Sequence, residues 1–185
     1  MKSTNLKMFE GKLTKVRLER KYPSGIYSNG FVHFVGNESI ILQQYHDFYC
    51  EGYCVLRVED IIGLRSSEYE RFFEKMFKDE DLLSKVSAPS IPPVDSLMDL
   101  LEYFKDNETN IVVECEFEGE EEDVFSCGKV SGIENEIIWI KEFNALGEWE
   151  DEEVGVELES VTKLQFDTPY INVFAKHLPD IKKST

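Results

Sequence analysis

The chain contains an internal repeat, and this repeat constrains the fold more than any other feature of the sequence. The stretch Tyr27–Phe77 recurs as Phe125–Leu178. A shift of 98 residues places Asn37-Glu38 on Asn135-Glu136, and shifts of 100 and 101 align the later parts. The shift changes only where loops are expected, which is the pattern that an ancient duplication leaves. The sequence therefore predicts two copies of one structural unit.

Each copy has the pattern of five short strands followed by a helix. In the first copy the segments with strand-like composition are Lys12–Arg20, Phe31–Val35, Ser39–Tyr45, Tyr53–Val58 and Asp60–Arg65. Ser67 with Glu70 three residues later is a capping-box pattern, which predicts that a helix begins there. In the second copy Thr168-Pro169 predicts the matching helix start, a cap followed by proline in the first turn.

The helix that ends the first copy carries a row of apolar side chains at helical spacing. The residues on this face are Tyr69, Phe72, Phe73, Met76 and Phe77. Such spacing is typical of a helix that packs on a core, so we expect the face to be buried. The matching face of the second copy carries Tyr170, Val173, Phe174 and His177.

A glycine-containing run in the second copy, Gly128-Lys129-Val130-Ser131-Gly132-Ile133-Glu134, resembles the first half of the Sm motif. A predicted helix from Asp95 precedes it, as in Sm proteins. Glu134 stands where that motif usually has Asp, and no counterpart of the second half of the motif is present. The resemblance implies a small Sm-like or SH3-like barrel for each copy and carries little about function. The run Asp60–Leu64 before the aromatic helix also resembles a unit of uncharacterised bacterial proteins, which implies no activity.

These features together predict a mainly β protein with short helices. We expect two tandem five-stranded barrels, each followed by a short helix, with the first in residues 1–78 and the second in residues 95–185, where a helix Asp95–Phe104 precedes it. Residues 79–94 contain three prolines between positions 89 and 93. Proline fixes φ and removes a backbone donor, so this segment is predicted to be a linker. Small domains bury little apolar surface alone, so the two barrels are expected to pack together.

The net charge of −17 is confined to the second part of the chain. Residues 1–93 contain 13 basic and 13 acidic residues, whereas residues 94–185 contain 7 basic and 24 acidic residues. Two blocks, residues 114–123 and 148–159, hold seven acidic residues each. Phosphate contacts need clustered Lys and Arg, so nucleic-acid binding is not favoured. RNA binding through the first copy, which has a short basic run from Lys12 to Lys21, stays as an alternative.

Binding of a basic protein is the function that this charge favours, because an acidic surface steers a basic partner and accelerates association. Trp149 lies inside the second acidic block, and an exposed Trp commonly anchors an interface. Its ring could instead fold back into the mouth of the barrel. The predicted partner-binding residues are Glu118, Glu120, Glu121, Glu122, Asp123, Glu148, Trp149, Glu150, Asp151, Glu152 and Glu153. An adaptor or an inhibitor is expected, including an immunity-type protein that covers a basic toxin or nuclease.

Metal, cofactor and catalytic sites have little support in the sequence. His46, Cys50 and Cys54 are spaced by fours, but zinc sites normally have closer Cys pairs and a fourth ligand. Phosphate-binding loops, nucleophile elbows and calcium loops are not present as motifs. We expect no cofactor and no catalytic activity. The alternative is a ligand-binding protein or enzyme with a cleft between the barrels, which requires a deep pocket with convergent polar groups.

The apolar runs of the sequence are short. None approaches 18 residues and the N-terminus has no signal-like stretch, so a cytosolic protein without a membrane span is expected. Cys115 and Cys127 would face each other if Ile111–Phe117 and Val124–Val130 form a hairpin. In a reducing cytosol two packed thiols are expected there rather than a disulfide.

Overall fold

In a computed structural model that describes residues 3–22, 27–93, 95–117 and 122–181, ten strands form one open antiparallel sheet. The first half contributes β1 (Lys15–Arg20), β2 (Tyr27–Val35), β3 (Ser39–His46), β4 (Tyr49–Arg57) and β5 (Ile61–Arg65). The second half contributes β6 (Asn110–Cys115), β7 (Val124–Glu134), β8 (Ile137–Phe143), β9 (Trp149–Glu157) and β10 (Lys163–Phe166). The helices are α1 (Ser3–Lys7), α2 (Glu68–Asp79), α3 (Leu97–Asp106) and α4 (Pro169–Phe174).

The repeat in the sequence corresponds to a repeat in the strand order. The sheet runs β5-β1-β2-β3-β4-β10-β6-β7-β8-β9, so each half places its fifth strand beside its first. A short 3₁₀ turn joins the fourth and fifth strands of each half, Val58–Asp60 in the first and Leu158–Ser160 in the second. The amides of Val58 and Leu158 each donate at 2.8 Å to the carbonyl of an equivalent residue, Glu38 and Glu136 respectively. The two halves therefore share connectivity and local turns.

The prediction of a mainly β protein with short helices is confirmed, whereas two tandem barrels are not. The halves join into one sheet because β10 pairs with β4 as well as with β6. Leu164 lies opposite Val55 across this junction, and the ring of Phe166 stacks on Tyr53 with centroids 5.2 Å apart. The Arg57 guanidinium adds a hydrogen bond of 2.6 Å to the carbonyl of Leu158. The junction is thus part of the sheet rather than a contact between closed barrels.

Two cores lie on opposite faces of this sheet, and β3 and β4 contribute to both of them. Side chains alternate along a strand. Ile40 and Leu42 therefore enter the core of the first half while Ile41, between them, enters a core shared with the second half. The first core contains mainly Leu6, Val16, Leu18, Val32, Ile40, Leu42, Cys54, Leu56 and Ile61. The shared core contains mainly Ile41, Tyr53, Val55, Leu100, Leu101, Phe104, Ile111, Val113, Ile138, Ile140, Leu164 and Phe166.

The helices α2 and α4 pack at equivalent places, each near the third strand of its half. Phe77 of α2 packs against Tyr45 of β3, and Phe174 of α4 stacks on Phe143 of β8 at 5.2 Å. The predicted helix starts are confirmed, since Ser67 forms the capping box with Glu70 and Thr168 caps a helix with proline in its first turn. The expectation that the whole aromatic face of α2 is buried was wrong. Phe77 is buried, but Tyr69 and Phe72 are 63% and 60% exposed.

The proline-containing segment between the halves is bonded to both of them. The Tyr53 hydroxyl donates to the Ser87 carbonyl at 2.9 Å, and the Tyr103 hydroxyl donates to the Ser90 carbonyl at 3.3 Å. The Asp95 carboxylate accepts hydrogen bonds from the amides of Glu38 and Asn37 in the β2–β3 turn, which lower the pKa of Asp95. Because Asp95 caps this turn, α3 begins two residues later than predicted, with Ser96 as its N-cap.

A buried ion pair holds the first strand of one half against the second half. Arg20 of β1 and Glu116 after β6 are 1% and 5% exposed, and Arg20 Nη1 donates to Glu116 Oε1 at 3.1 Å. The Thr162 hydroxyl donates to the other carboxylate oxygen at 2.7 Å. β2, β3, β4 and β10 lie between β1 and β6 in the strand order. A flat sheet would hold β1 and β6 about 24 Å apart, so the ion pair requires the sheet to curl strongly.

Removing one member of this pair is expected to lower the free energy of unfolding more than removing both members does. Arg20→Leu leaves the Glu116 carboxylate buried without its cation and should lower the free energy of unfolding by about 3 kcal/mol, with partial recovery in Arg20→Leu/Glu116→Leu. Urea denaturation measures both. The control is Glu108→Gln, which removes the exposed Lys129–Glu108 pair and should cost less than about 1 kcal/mol. Equal losses in the single and double variants would contradict this account of the pair.

The stability contributed by Glu70 is expected to depend on pH. Burial alone would raise the pKa of Glu70, but hydrogen bonds from Arg65 and Ser67 outweigh burial and lower it to about 2. An unfolded Glu titrates near pH 4.3. The contribution is therefore complete above that pH and is lost as the pH falls toward 2. Glu70→Gln should lower the free energy of unfolding by about 1 kcal/mol at pH 7 and by less at pH 3. Denaturation at both pH values checks this, and a pH-independent difference would contradict it.

Candidate protein-binding surface

The described part of the first acidic block that follows β6 and the beginning of the second block lie at the same end of the sheet. β6 and β8 are both antiparallel to β7, so they run in the same direction and the connections that follow them leave the same end. The first connection ends in Glu122 and Asp123, and the second contains Glu148 and leads into the stretch Glu150–Glu153 of β9. We call Glu122, Asp123, Glu148 and Glu150–Glu153 the acidic end.

Most of the predicted partner-binding carboxylates can be placed. Glu118, Glu120 and Glu121 lie outside the described residues. Every carboxylate of the acidic end belongs to an exposed residue. Among the residues that the structure describes, no Lys or Arg forms an ion pair with the stretch Glu150–Glu153. These carboxylates are therefore accessible to a partner.

Two acids of the first block have a structural role instead. Glu114 pairs with Lys163 at 3.1 Å and accepts a hydrogen bond from Gln165, while Glu116 is buried against Arg20. Both residues stabilise the region in which β6 meets β10 and the first half. Among the described residues of the block, Glu122 and Asp123 are the exposed acids. The sequence contained no signal that separated these two uses of the same residue type.

Exposed apolar side chains lie at the same end of the sheet as the carboxylates. Leu146, in the connection between β8 and β9, is 83% exposed, and Phe125 and Val124 at the start of β7 are 62% and 39% exposed. Apolar residues surrounded by polar ones are typical of protein-binding surfaces. Sequence reasoning missed these three residues, although Leu146 lies in a turn before Gly147, where an apolar residue has no core to enter.

Trp149 is partly covered by its own chain. Its ring lies edge-on to Phe143 with centroids 5.9 Å apart, and its indole nitrogen donates to the carbonyl of Pro179 at 2.7 Å. The two placements considered from the sequence were an exposed anchor of an interface and a ring folded back into the mouth of a barrel. The ring instead packs at the edge of the aromatic cluster next to α4. Trp149 therefore fixes the start of β9, where the acidic stretch begins.

β9 is an edge strand of the sheet in the described part of the chain. It pairs with β8, and the carboxylates of Glu150, Asp151 and Glu152 follow one another where that pairing is interrupted by a register shift. Charged residues on an edge strand oppose uncontrolled pairing with other sheets. The strand therefore presents its carboxylates at an edge of the described sheet.

A cleft of about 380 Å³ lies between β4 and β10, next to the start of α3. Its lining mixes apolar side chains with polar ones, among them the cations Arg57 and Lys163 and the carboxylates Glu38 and Glu59. Arg57 is bonded to the carbonyl of Leu158, and Lys163 is paired with Glu114. Both cations thus have partners within the protein.

All four cysteines are free thiols. The register pairs Cys127 with Val112 and Cys115 with Val124, so Cys115 enters the shared core while Cys127 packs near α4. The expectation that these two thiols face each other was wrong. Burial raises the pKa of Cys54 to about 11, whereas His46 is exposed. Within the described ranges no three His, Cys, Asp or Glu side chains form a group suited to a metal ion.

Comparisons with known proteins find no match among family models, curated proteins or solved structures. In the described part of the chain, none of the helices has the length and apolarity needed to cross a membrane.

Trp149 and Leu146 are expected to respond differently to truncation. Trp149→Ala removes the packing on Phe143 and should lower the free energy of unfolding by about 2 kcal/mol, less than for a fully buried ring. Leu146→Ser changes an exposed side chain and should alter it by less than about 0.5 kcal/mol. Urea denaturation measures both values. A large loss for Leu146→Ser would show that this residue supports the fold rather than being free for binding.

Proposed function

We propose that this chain is a cytosolic, non-catalytic binding protein that engages a basic protein through the acidic end. The observation that carries the proposal is the juxtaposition of exposed carboxylates, which form no ion pair with a Lys or Arg in the described part of the chain at Glu150–Glu153, with exposed apolar side chains. Glu150–Glu153 supply the charge, and Leu146 and Phe125 supply apolar surface at the same end of the sheet. The role is that of an adaptor or an inhibitor, including an immunity-type protein that covers a basic toxin or nuclease.

Electrostatic and apolar contacts have separate roles in this proposal. The carboxylates attract a basic partner from a distance and orient it, which raises the association rate at low salt. The apolar residues supply contacts that slow dissociation once the partner is bound. Because the acidic end is built on hairpins of the main sheet, little ordering is needed on binding, which limits the entropic cost.

The basic run of the first half supports this proposal over RNA binding. Arg20 is buried against Glu116, and Lys21 is bonded to Asp60 at 2.9 Å. Lys15 is buried with its amino group 4.1 Å from the ring centroid of Phe73, and Arg17 lies 3.4 Å from that of Tyr27. These four cations stabilise the fold, so they are poorly placed to contact phosphates.

We further propose that the two halves descend from one Sm-like or SH3-like unit. The repeated strand order and the matching 3₁₀ turns support a duplication. In this view the pairing of β4 with β10 merged two such units into one sheet. The fold by itself assigns no activity.

Charge neutralisation tests the proposed function. The tagged chain is used to capture proteins from a lysate of its source organism at 50 mM and 500 mM salt. A basic protein should be retained at low salt and released at high salt, and the retention should fall at least tenfold in the variant Glu150→Gln/Asp151→Asn/Glu152→Gln/Glu153→Gln.

A matched control changes the same number of charges in the first half. The variant Glu68→Gln/Asp79→Asn/Glu80→Gln/Asp81→Asn neutralises four exposed acids near α2 and should retain the partner as the unmodified chain does. If the two variants lose the same amount of retained partner, binding depends on the net charge of the chain and not on the acidic end. Capture that survives neutralisation of Glu150–Glu153, or no captured basic protein at low salt, would overturn the proposal.

A further inference from the structure

A groove with exposed aromatic walls crosses the junction between the two halves. It has a volume of about 290 Å³ and is lined by Tyr49 and Glu51 of β4, Val112 of β6, Phe125 of β7 and Tyr170 of α4. Phe125 also belongs to the apolar residues beside the acidic end. The groove is therefore continuous with the proposed partner-binding surface.

Gly52 places the two sides of the groove next to each other. Its φ is +89°, and an added Cβ would lie 2.6 Å from the Asp167 carbonyl oxygen and 2.8 Å from Thr168 Cα. Only glycine takes this conformation without strain and allows such close approach. β4 therefore lies directly against the chain that leads into α4. The Thr168 hydroxyl then caps α4 by accepting from the Ile171 amide at 3.2 Å, which fixes the first turn and with it Tyr170.

Three aromatic rings of the groove are strongly exposed. Tyr49, Phe125 and Tyr170 are 60%, 62% and 50% exposed. Tyr170 contacts Phe174 at 4.6 Å, whereas Tyr49 and Phe125 have no aromatic neighbour among the described residues. The groove thus leaves large ring surface in contact with water.

Two exposed aromatic rings of the first half, Tyr27 and Tyr69, have a cation of the chain itself over them. Arg17 lies 3.4 Å from the ring centroid of Tyr27, and Arg65 lies 5.4 Å from that of Tyr69. Within the described residues no Lys or Arg lies over Tyr49 or Phe125. The face of an aromatic ring attracts a cation, and the attraction grows when water is excluded.

The charge near the groove also favours a cation. Glu51 lines it, and one oxygen of this carboxylate accepts a hydrogen bond from Gln44 at 2.6 Å. Most of the groove comes from the second half, which carries the whole net negative charge of the chain. A carboxylate beside exposed rings is the combination that binds a guanidinium or an ammonium group.

We propose that this groove receives Lys or Arg side chains from an extended segment of the basic partner, with Arg preferred because its planar group stacks on rings. This inference rests on the proposed function and names the part of the partner that is recognised. The carboxylates of the acidic end attract the partner, while Tyr49, Phe125 and Tyr170 select cationic side chains at short range. Since Tyr49 and Glu51 belong to the first half, the partner segment contacts both halves.

The probes for this test are fluorescently labelled peptides of eight residues, octa-arginine, octa-lysine and octa-serine, measured by fluorescence anisotropy at 50 mM salt. Octa-arginine should bind more tightly than octa-lysine, and octa-serine should not bind. Each of Tyr49→Leu, Phe125→Leu and Tyr170→Leu keeps an apolar side chain but removes the ring. Each should weaken octa-arginine binding about threefold, and the triple variant should weaken it at least tenfold.

Phe72→Leu is the matched control, because Phe72 is 60% exposed on α2 and remote in sequence from the groove residues. It should leave binding unchanged. If neutralising Glu150–Glu153 weakens binding but the triple aromatic variant does not, the groove proposal fails and the acidic-end proposal stands. If the aromatic variants weaken binding but neutralisation does not, the acidic-end proposal fails and the groove proposal stands. If octa-arginine does not bind, the groove proposal fails.

Discussion

The pairing of β4 with β10 is the interaction on which the rest of the structure depends. It joins the halves into one sheet through the stacked pair Tyr53–Phe166 and the pair Val55–Leu164, whose side chains enter the shared core. The sheet then curls far enough for Arg20 to reach Glu116. A buried ion pair contributes little net stability when compared with apolar packing, but it penalises every arrangement in which one charge lacks its partner. In this protein it specifies how the first half closes over the second.

The alignment of the two repeats also shows how the edges of the sheet differ from the junction. By the shift of 100 residues, Tyr53 of β4 corresponds to Glu153 of β9, and Phe166 at the end of β10 corresponds to Ser66 after β5. The aromatic pair that joins the halves therefore has no counterpart at the free edges, where β9 carries consecutive carboxylates. Like charges on an edge oppose the addition of a further strand of the same kind. The duplication thus produced one internal junction and two edges that differ from it chemically.

Local signals in the sequence were enough to predict individual elements but not how the elements combine. The capping box at Ser67 and the Thr168-Pro169 start depend on neighbouring residues only, and both were predicted. The pairing of β10 with β4 depends on residues more than 100 positions apart, so two closed barrels were predicted instead. The prediction that Cys115 and Cys127 face each other failed because it assumed a wrong strand register. An error in register changes the face of the strand on which each residue lies.

For the candidate site, too, the sequence was enough for local features but not for how they come together. Composition placed the charge in the second half, and strand topology was needed to show that Glu122 and Asp123 lie at the same end of the sheet as Glu148 and the stretch Glu150–Glu153. From the sequence, Glu114 and Glu116 could not be distinguished from the other acids of the first block. Their ion pairs with Lys163 and Arg20 give them a structural role. Charges protect an edge strand, but like charges that follow one another repel and lower stability. Four consecutive carboxylates beside the exposed Leu146 carry such a repulsion, which a basic partner as proposed above would relieve.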